Sequence, residues 1–285
     1  MIALIVVTAI WGSTFLLVKN AILQVPVMDF LAIRFSLAAV VMLVIQPKCL
    51  LSLTKRGLLR GVILGIVLGA AYVTQTYGLL TASATVSGFI TGTFVVLTPI
   101  VSWVLLRQKT SWNTWLAVAL AFLGLALLGL HGWSIGIGEL LTLVCALFVA
   151  IHVVGLGAWA SQHEIYGFAF VQVATVAVIS LVSAAPDGIK VPFEIGVWGT
   201  IIITAVFATA FAFFVQTWAQ SIIPPTHAAI VMTMEPVFAG IFGIVFGNES
   251  LTLRIVVGAL CVLVAMLIIQ FPKKQASIYR RSTGI

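Results

Sequence analysis

The sequence consists almost entirely of apolar runs of about twenty residues, separated by short segments that carry charges, proline or glycine. A run of this length is what an α-helix needs to cross the hydrocarbon core of a bilayer. Charged residues make up only 7% of the chain, against roughly 25% in an ordinary soluble domain. Because backbone polar groups must be satisfied internally within lipid, such runs fold as helices. The predicted fold class is an all-α integral membrane protein.

Cutting the apolar runs at charges, prolines and glycine clusters predicts ten transmembrane helices. The first five are expected at about 2–20, 30–46, 58–79, 84–106 and 113–130. The second five are expected at about 137–159, 167–184, 197–219, 226–246 and 252–270. A short glycine-containing connector, residues 131–136, lies between the two sets. The first run has no basic segment before it, so we expect it to be retained as a span and not cleaved as a signal peptide.

The chain repeats itself at about half its length. A shift of 141 residues places Gln75-Thr76-Tyr77 on Gln216-Thr217-Trp218, and residues 84–88 on 225–229 without a gap. Internal repeats of this kind are typical of transporters whose site lies where the repeats meet. Since each half holds an odd number of helices, the second half must enter the membrane from the opposite side. We therefore predict two inverted five-helix repeats, residues 1–130 and 137–270, followed by a basic tail at 271–285.

The basic residues predict the orientation of the chain. With a cytoplasmic N-terminus, ten of the 14 lysines and arginines fall on the inner side and three on the outer side, and Arg34 lies within the second span. The positive-inside rule therefore places both termini in the cytoplasm. The net charge of +7 comes without an aromatic-interleaved basic patch, which argues against a nucleic-acid partner.

Two charged residues lie inside predicted spans, where a charge costs on the order of 3 kcal/mol and needs a partner, a cavity or a function. Arg34 lies about five residues into the second helix and is either a fixed charge paired with a carbonyl or carboxylate, or a functional group. Glu235 lies near the middle of the ninth helix, directly before Pro236, whose missing N–H frees a carbonyl one turn earlier. It is either a buried group that stabilises the kink or pairs with Arg34, or a carboxyl that couples transport to protons or cations. Pro99 and Pro236 are candidate helix breaks or gates.

Several uncharged polar residues also fall within the spans. Gln75 and Gln216 occupy equivalent positions of the two repeats, and Tyr72 lies three residues before Gln75, on the same helical face. These side chains either form hydrogen bonds between helices or contact a polar solute in a central cavity. His152, in the middle of the sixth span, is either a core residue or part of that cavity. The full set of candidate cavity residues is Trp11, Ser13, Tyr72, Gln75, Thr91, His152 and Gln216.

The sequence resembles a known family over essentially its whole length. In the first half the matching segments are Trp11-Gly12-Ser13-Thr14-Phe15, Arg34-Phe35 and Thr98-Pro99. In the second half they are Glu235-Pro236-Val237-Phe238-Ala239 and Gly247-Asn248-Glu249. These segments are similar to those of the EamA-type branch of the drug/metabolite transporter superfamily, which contains ten-helix carriers of the bacterial inner membrane. One departure is Arg107-Gln108-Lys109, where that family commonly has a second Gly-Glu pair.

The resemblance implies a central cavity formed by the first, third, fourth, sixth, eighth and ninth helices, with alternating access by rocking of those helices. It also implies export of amino acids, related metabolites or drugs, driven by protons or by exchange of substrates. We accordingly predict a secondary transporter of a small molecule that lies in the lipid bilayer of the cytoplasmic membrane. A monomer is sufficient for this function. We do not expect an enzyme or a cofactor. A metal site is not expected either, because Cys49, Cys145 and Cys261 are scattered singly.

Alternative functions make different demands on the sequence. An exchanger of phosphorylated or nucleotide-sugar solutes needs several lysines or arginines facing the cavity, and only Arg34 lies at depth. An integral-membrane enzyme needs clustered carboxylates or a metal constellation, whereas the seven acidic residues are spread along the chain. A non-transporting membrane subunit would have no need of polar residues in the middle of its spans.

Overall fold

The computed structural model describes residues 2–107, 112–131, 134–222, 228 and 231–270. In this part of the chain ten helices follow one another. They are α1 Ile2–Ala21, α2 Val27–Ile45, α3 Lys55–Gly78, α4 Ala84–Leu106, α5 Trp112–Gly129, α6 Ile137–Trp159, α7 Ile165–Ala184, α8 Ile195–Ile222, α9 Met234–Val245 and α10 Leu253–Gln270. Short 3-10 turns, Ala160–Gln162 and Ala185–Asp187, follow α6 and α7, and a two-residue antiparallel ladder joins Leu130–His131 to Ser134–Ile135. The predicted ten-helix, all-α fold class is confirmed.

The helices have the length and surface of membrane spans. Seven of them are long and apolar enough to cross a bilayer, and three further apolar helices are shorter within the described residues. Large apolar side chains remain exposed on the outside of the bundle, for example Ile66, Val178 and Leu260. Such side chains are stable when their surroundings are lipid rather than water. The chain is therefore a multi-pass membrane protein.

Helix ends agree with the predicted ones to within a few residues, and two of the larger differences occur at charged helix starts. Helix α2 begins at Val27, three residues earlier than predicted, because Asp29 is accommodated in its first turn. A carboxylate is favoured near a helix N-terminus, and Asp29 Oδ2 also accepts a hydrogen bond from the Lys190 backbone N–H at 3.2 Å. Helix α3 begins at Lys55, also three residues early, after the Thr54 cap. The predicted start of the ninth helix and the basic tail lie outside the described residues.

The main helix contacts recur when each helix of one half is replaced by its counterpart in the other half, five helices along the chain. Helix α2 packs on α7, α4 on α9, and α5 on α10. Helix α1 packs on α8 and α9, and in the same way α6 packs on α3 and α4. Contacts between α2 and α8 likewise match those between α7 and α3. The two halves are thus interleaved, and helices from both surround the centre.

Small residues bring several of these helices into backbone contact. A methyl group added to Gly12 of α1 would lie 2.8 Å from the backbone of α9, and one added to Gly65 of α3 would lie 2.9 Å from the Gln172 carbonyl of α7. Gly88 of α4 faces Ala239 of α9 in the same way. Close approach of this kind is the usual role of small residues spaced four apart in membrane helices. Gly12, Gly65 and Gly88 therefore lie at helix contacts.

Helices α4 and α9 are interrupted at similar places. Within α4, Thr93 separates the segments Ala84–Gly92 and Phe94–Leu106. Thr233, immediately before α9, has φ −64° and ψ −14°, close to the −62° and −10° of Thr93. Both interruptions precede a proline, because Pro99 lies six residues after Thr93 and Pro236 lies three residues after Thr233. The helix continues through Pro99 itself, so the break in α4 lies before the proline and not at it.

Candidate functional site

A central cavity lies where α1, α3, α4, α6, α8 and the start of α9 meet. About 570 Å³ of space not filled by atoms lies between these helices, and this figure includes space that is open to the outside. These six helices are the ones that the family resemblance implied. The described lining residues are Trp11, Thr14, Phe15, Leu68, Ala71, Tyr72, Gln75, Thr91, Phe94, Cys145, Val149, His152, Phe213, Gln216, Met232 and Glu235.

The structure brings most of the predicted site residues together around this cavity. It is lined by Trp11, Tyr72, Gln75, Thr91, His152, Gln216 and Glu235. Ser13 is not among the lining residues, and its hydroxyl donates to the Ile10 carbonyl at 2.7 Å. The reason is helix geometry: residues two apart, such as Trp11 and Ser13, do not share a face. Arg34, Pro99 and Pro236 also lie outside the lining.

Phe213 of α8 lies at the centre of an aromatic wall. Its ring centroid is 5.7 Å from that of Trp11, 6.0 Å from that of Tyr72 and 6.1 Å from that of His152. The rings meet at tilted or edge-on angles, which aromatic pairs prefer over a face-to-face sandwich. Because the four residues belong to four different helices, this wall depends on the relative positions of both halves of the chain.

Arg34 lies behind the aromatic wall. Its side chain is 2% exposed, and its guanidinium carbon is 4.9 Å from the Tyr72 ring centroid and 5.4 Å from that of Phe35. Its Nε donates a hydrogen bond to Thr209 Oγ1 at 3.0 Å. Within the described residues no ion pair joins Arg34 to Glu235. Ring faces and a hydroxyl group therefore stabilise this charge, in place of the carbonyl or carboxylate that the sequence suggested.

A π-helical segment of α8, Val206–Phe211, provides contacts on both sides of the wall. The Ala208 carbonyl accepts a hydrogen bond from Trp11 Nε1 at 2.9 Å, and Thr209 is the partner of Arg34. Because a π-helical turn bonds each residue to the fifth one along, it departs from the regular ladder of an α-helix, and such segments are frequent at functional sites. This segment could not be predicted from the sequence, because its apolar run is that of an ordinary spanning helix.

Two hydrogen bonds connect polar lining groups to their neighbours. Gln75 Nε2 donates to Thr91 Oγ1 at 3.3 Å and so joins α3 to α4. His152 Nε2 lies 2.7 Å from Gln172 Oε1. Since the amide nitrogen of Gln172 donates to the Phe168 carbonyl at 2.9 Å, its oxygen is the acceptor in the contact with His152, and Nε2 of His152 carries the proton. The imidazole is thereby held in one orientation.

Two acceptors of the cavity have no such partner. Gln216 is 2% exposed, and its Oε1 is buried without a hydrogen bond. The carboxylate of Glu235, 7% exposed, forms no hydrogen bond or ion pair within the described part of the chain. Because α9 begins at Met234, Glu235 lies in a first helical turn, where the helix dipole favours a negative charge. Buried polar groups are normally hydrogen-bonded, so Gln216 Oε1 and the Glu235 carboxylate are candidate contacts for a solute in the cavity.

The lining residues that the sequence analysis did not name lie one or two helical turns from residues that it did. Thr14 follows Trp11 by three positions, and Cys145 precedes His152 by seven. Phe213 lies three residues before Gln216 in the same way. Residues at these spacings share a helical face. Projecting the predicted polar residues along their own faces would therefore have found them.

The Gly247-Asn248-Glu249 motif caps a cavity helix of the other half. The Glu249 carboxylate accepts hydrogen bonds from the backbone N–H groups of Ala84, at 2.7 Å, and Thr85, at 3.0 Å. It thereby joins the loop between α9 and α10 to the first turn of α4. Arg107 after α4 and Asn248 after α9 both have left-handed backbone angles, with φ of 54° and 51°. Gln108 and Lys109 lie outside the described residues.

Comparison with known proteins shows what the chain is similar to. Residues 1–130 and 136–271 match the EamA-like transporter family. An uncharacterized transporter of Archaeoglobus fulgidus is 33% identical over 269 residues, which cover 94% of this chain and 84% of that protein. The uncharacterized transporters YoaV and YetK of Bacillus subtilis are each 26% identical, over 92% and 98% of this chain and 93% and 88% of their own lengths. A protein of known crystal structure shares the fold with a TM-score of 0.70 at 16% identity, over 93% of this chain and 94% of that one.

Proposed function

Because the chain belongs to the EamA-like transporter family, we propose that it is a secondary active transporter that exports a small metabolite across the cytoplasmic membrane. The solute would be an amino acid, a related compound or a drug. The observation that carries this proposal is the central cavity, which helices of both halves surround and which holds Glu235 in its lining. An ionisable side chain within a membrane span is a functional candidate by default. The excess of basic residues in the predicted inner loops supports cytoplasmic termini.

Alternating access is the mechanism that this architecture supports best. The main helix contacts recur between the two halves, which suits two inverted repeats, residues 1–130 and 137–270, that rock around a fixed site. The interruptions at Thr93 and Thr233 lie beside the cavity residues Phe94 and Met232. Interrupted helices at the site are typical of transporters. Pro99 and Pro236 follow these interruptions and are candidate gating positions.

Glu235 is the group that we expect to couple transport to protons or cations. The other titratable groups that line the cavity are Tyr72, Cys145 and His152, and Arg34 lies behind Tyr72. The Nε2 proton of His152 is held by Gln172. Glu235 has no protein partner among the described residues, so it can exchange a proton or contact a solute without first breaking a bond.

A phosphorylated or nucleotide-sugar solute fits the cavity poorly. Phosphate groups are bound by arginine and lysine side chains. Neither residue type occurs among the described residues that line the cavity. Arg34 already contacts Tyr72, Phe35 and Thr209.

Flux measurements on proteoliposomes test the proposal. A metabolite-export screen of overexpressing cells would first identify solutes, and flux of those solutes would then be measured with and without a pH gradient. We expect flux above that of empty liposomes, and we expect a pH gradient to stimulate it. Flux of no solute above empty liposomes would refute the carrier.

Variants separate the coupling role from transport itself. Glu235→Gln should abolish the stimulation by the pH gradient, because the amide cannot exchange a proton. Glu139→Gln is the matched control, since Glu139 is a second buried glutamate, 8% exposed, in the first turn of α6 and outside the central cavity. Its stimulation should equal that of the wild type. An unchanged response in Glu235→Gln would refute the coupling role alone.

A further inference from the structure

Several hydrogen-bond donors of the central cavity are engaged with the protein itself. Trp11 Nε1 donates to the Ala208 carbonyl, and the Thr14 hydroxyl donates to the Trp11 carbonyl at 2.6 Å. His152 Nε2 donates to Gln172. These groups anchor the cavity wall. They are not available to a solute unless the wall rearranges.

Two acceptors of the cavity show the opposite pattern. Gln216 Oε1 is buried without a partner, and the Glu235 carboxylate forms no hydrogen bond or ion pair within the described residues. Leaving such acceptors unpaired costs about 1–3 kcal/mol each, and more for a charged group. A solute that brings N–H donors and a positive charge would satisfy both of them. A solute that brings a carboxylate or phosphate would instead place a second negative charge beside the Glu235 carboxylate.

The rest of the lining suits the same kind of solute. The rings of Trp11, Tyr72, Phe94 and Phe213 border the cavity, and aromatic faces attract ammonium groups while they accommodate apolar carbon. The guanidinium of Arg34 already lies over the Tyr72 ring, from behind the wall. Repulsion from this charge disfavours a second cation beside Tyr72 and directs it towards the Glu235 carboxylate.

We propose that the solute of this cavity is an organic amine in its protonated form: a primary or secondary ammonium group that binds Glu235 and Gln216, attached to an aromatic or other apolar body that packs on the ring wall. The proposal rests on the proposed transport function and assigns a substrate class to the same site. The N–H requirement comes from Gln216, because a quaternary ammonium has no hydrogen to donate to Oε1. A zwitterionic amino acid is disfavoured, because no lysine or arginine among the described lining residues can receive its carboxylate.

Binding to the purified full-length protein, measured by isothermal titration calorimetry, tests this selectivity. The probes share one skeleton: phenethylammonium, its N,N,N-trimethyl derivative, phenylalanine and 3-phenylpropionate. We expect phenethylammonium to bind most tightly and the trimethyl derivative to bind roughly tenfold more weakly, since it loses the bond to Gln216. Phenylalanine should bind more weakly still, and 3-phenylpropionate should give no heat of binding. A panel of other primary aryl- and alkylammonium ions extends the test beyond one skeleton.

Two pairs of variants assign the effect to single groups. Glu235→Gln should weaken phenethylammonium binding by about 10- to 100-fold, the range expected for a hydrogen bond to a charged group, while Glu139→Gln binds as the wild type does. Gln216→Leu should remove the advantage of the primary over the trimethyl ammonium. Gln220→Leu is its control, because Gln220 lies one turn later, donates to the Val153 carbonyl at 3.3 Å and is not part of the lining.

The possible failures are distinguishable. Binding of the anion or the zwitterion as tight as that of the amine would overturn the inference, and so would the absence of binding by every ammonium probe at millimolar concentration. Equal binding in Glu235→Gln, in a variant that elutes as a single species, would overturn it as well. If any of these results came together with saturable flux of phenylalanine in proteoliposomes, the transport function would stand. Only the assignment of an amine as the substrate would be refuted. If no solute moves at all, the proposed function itself fails.

Discussion

The cap that Glu249 forms on α4 offers a direct test of how the two halves of this protein are joined. The perturbation is Glu249→Ala, which removes both oxygens that accept the backbone N–H groups of Ala84 and Thr85, at 2.7 and 3.0 Å. After the substitution these two N–H groups lose their acceptor, although they still lie next to the loop between α9 and α10. Ser83 still caps the next position, because its hydroxyl accepts from the Val86 N–H at 3.1 Å, so the helix should weaken at its first turn without unfolding.

The magnitude follows from the two bonds. A hydrogen bond to a charged group contributes about 1.5–3 kcal/mol, and a negative charge at a helix N-terminus adds about 0.3–1 kcal/mol. Glu249 is partly exposed, so solvent screening keeps the total near the lower end. We expect the free energy of unfolding to fall by about 2–4 kcal/mol in Glu249→Ala. Glu249→Gln keeps one carbonyl oxygen as an acceptor and should lose about half as much.

Thermal unfolding of the purified protein in detergent measures the effect. With about 2–4 °C per kcal/mol for chains of this size, Glu249→Ala should lower the midpoint by about 5–10 °C. Glu194→Ala is the matched control: Glu194 occupies the N-cap position of α8, is exposed and forms no side-chain bond to the helix. Its effect should stay within about 0.5 kcal/mol. Equal midpoints for the two alanine variants would refute the cap, and a Glu249→Gln midpoint equal to that of the wild type would refute a contribution from the charge.

Three further outcomes follow from the packing. Gly12→Ala should destabilise the protein by about 1–3 kcal/mol and abolish flux, because the new methyl group would meet the backbone of α9 at 2.8 Å, whereas Gly199→Ala, with no atom within 4 Å of its methyl group, should change neither. Thr209→Val should lower the free energy of unfolding by about 1–3 kcal/mol, because it leaves the Nε of Arg34 without its partner. Burial, and then a neighbouring arginine, lower the pKa of His163, which lies outside the spanning helices. The unfolded state therefore binds this proton more readily, and stability should fall as the pH drops below about 6.5; His163→Gln should give a flatter profile of unfolding midpoint against pH.

Much of the fold is determined by hydropathy, which is a local property. Apolar runs of spanning length must form helices in lipid, so the ten helices and nearly all their ends could be predicted from the sequence. The misplaced ends of α2 and α3 lie where charges belong to a first helical turn. The same local reasoning found Trp11, Tyr72, Gln75, Thr91, His152, Gln216 and Glu235, because polar and aromatic groups of a span gather where helices face one another rather than lipid.

What the sequence alone determined about this protein is which segments cross the membrane and which of their residues are too polar to face lipid. Only the tertiary structure decided which neighbour each of them meets. It placed Ser13 outside the cavity, gave Arg34 a hydroxyl and two rings instead of Glu235, formed a π-helical segment in α8, and set the Glu249 carboxylate on a helix of the other half. The physical reason is that lipid tails are as apolar as the helix surfaces, so hydropathy does not specify how a helix is rotated or which helix it contacts. Close packing of small residues and a few hydrogen bonds decide this, and they join residues that lie far apart in the chain.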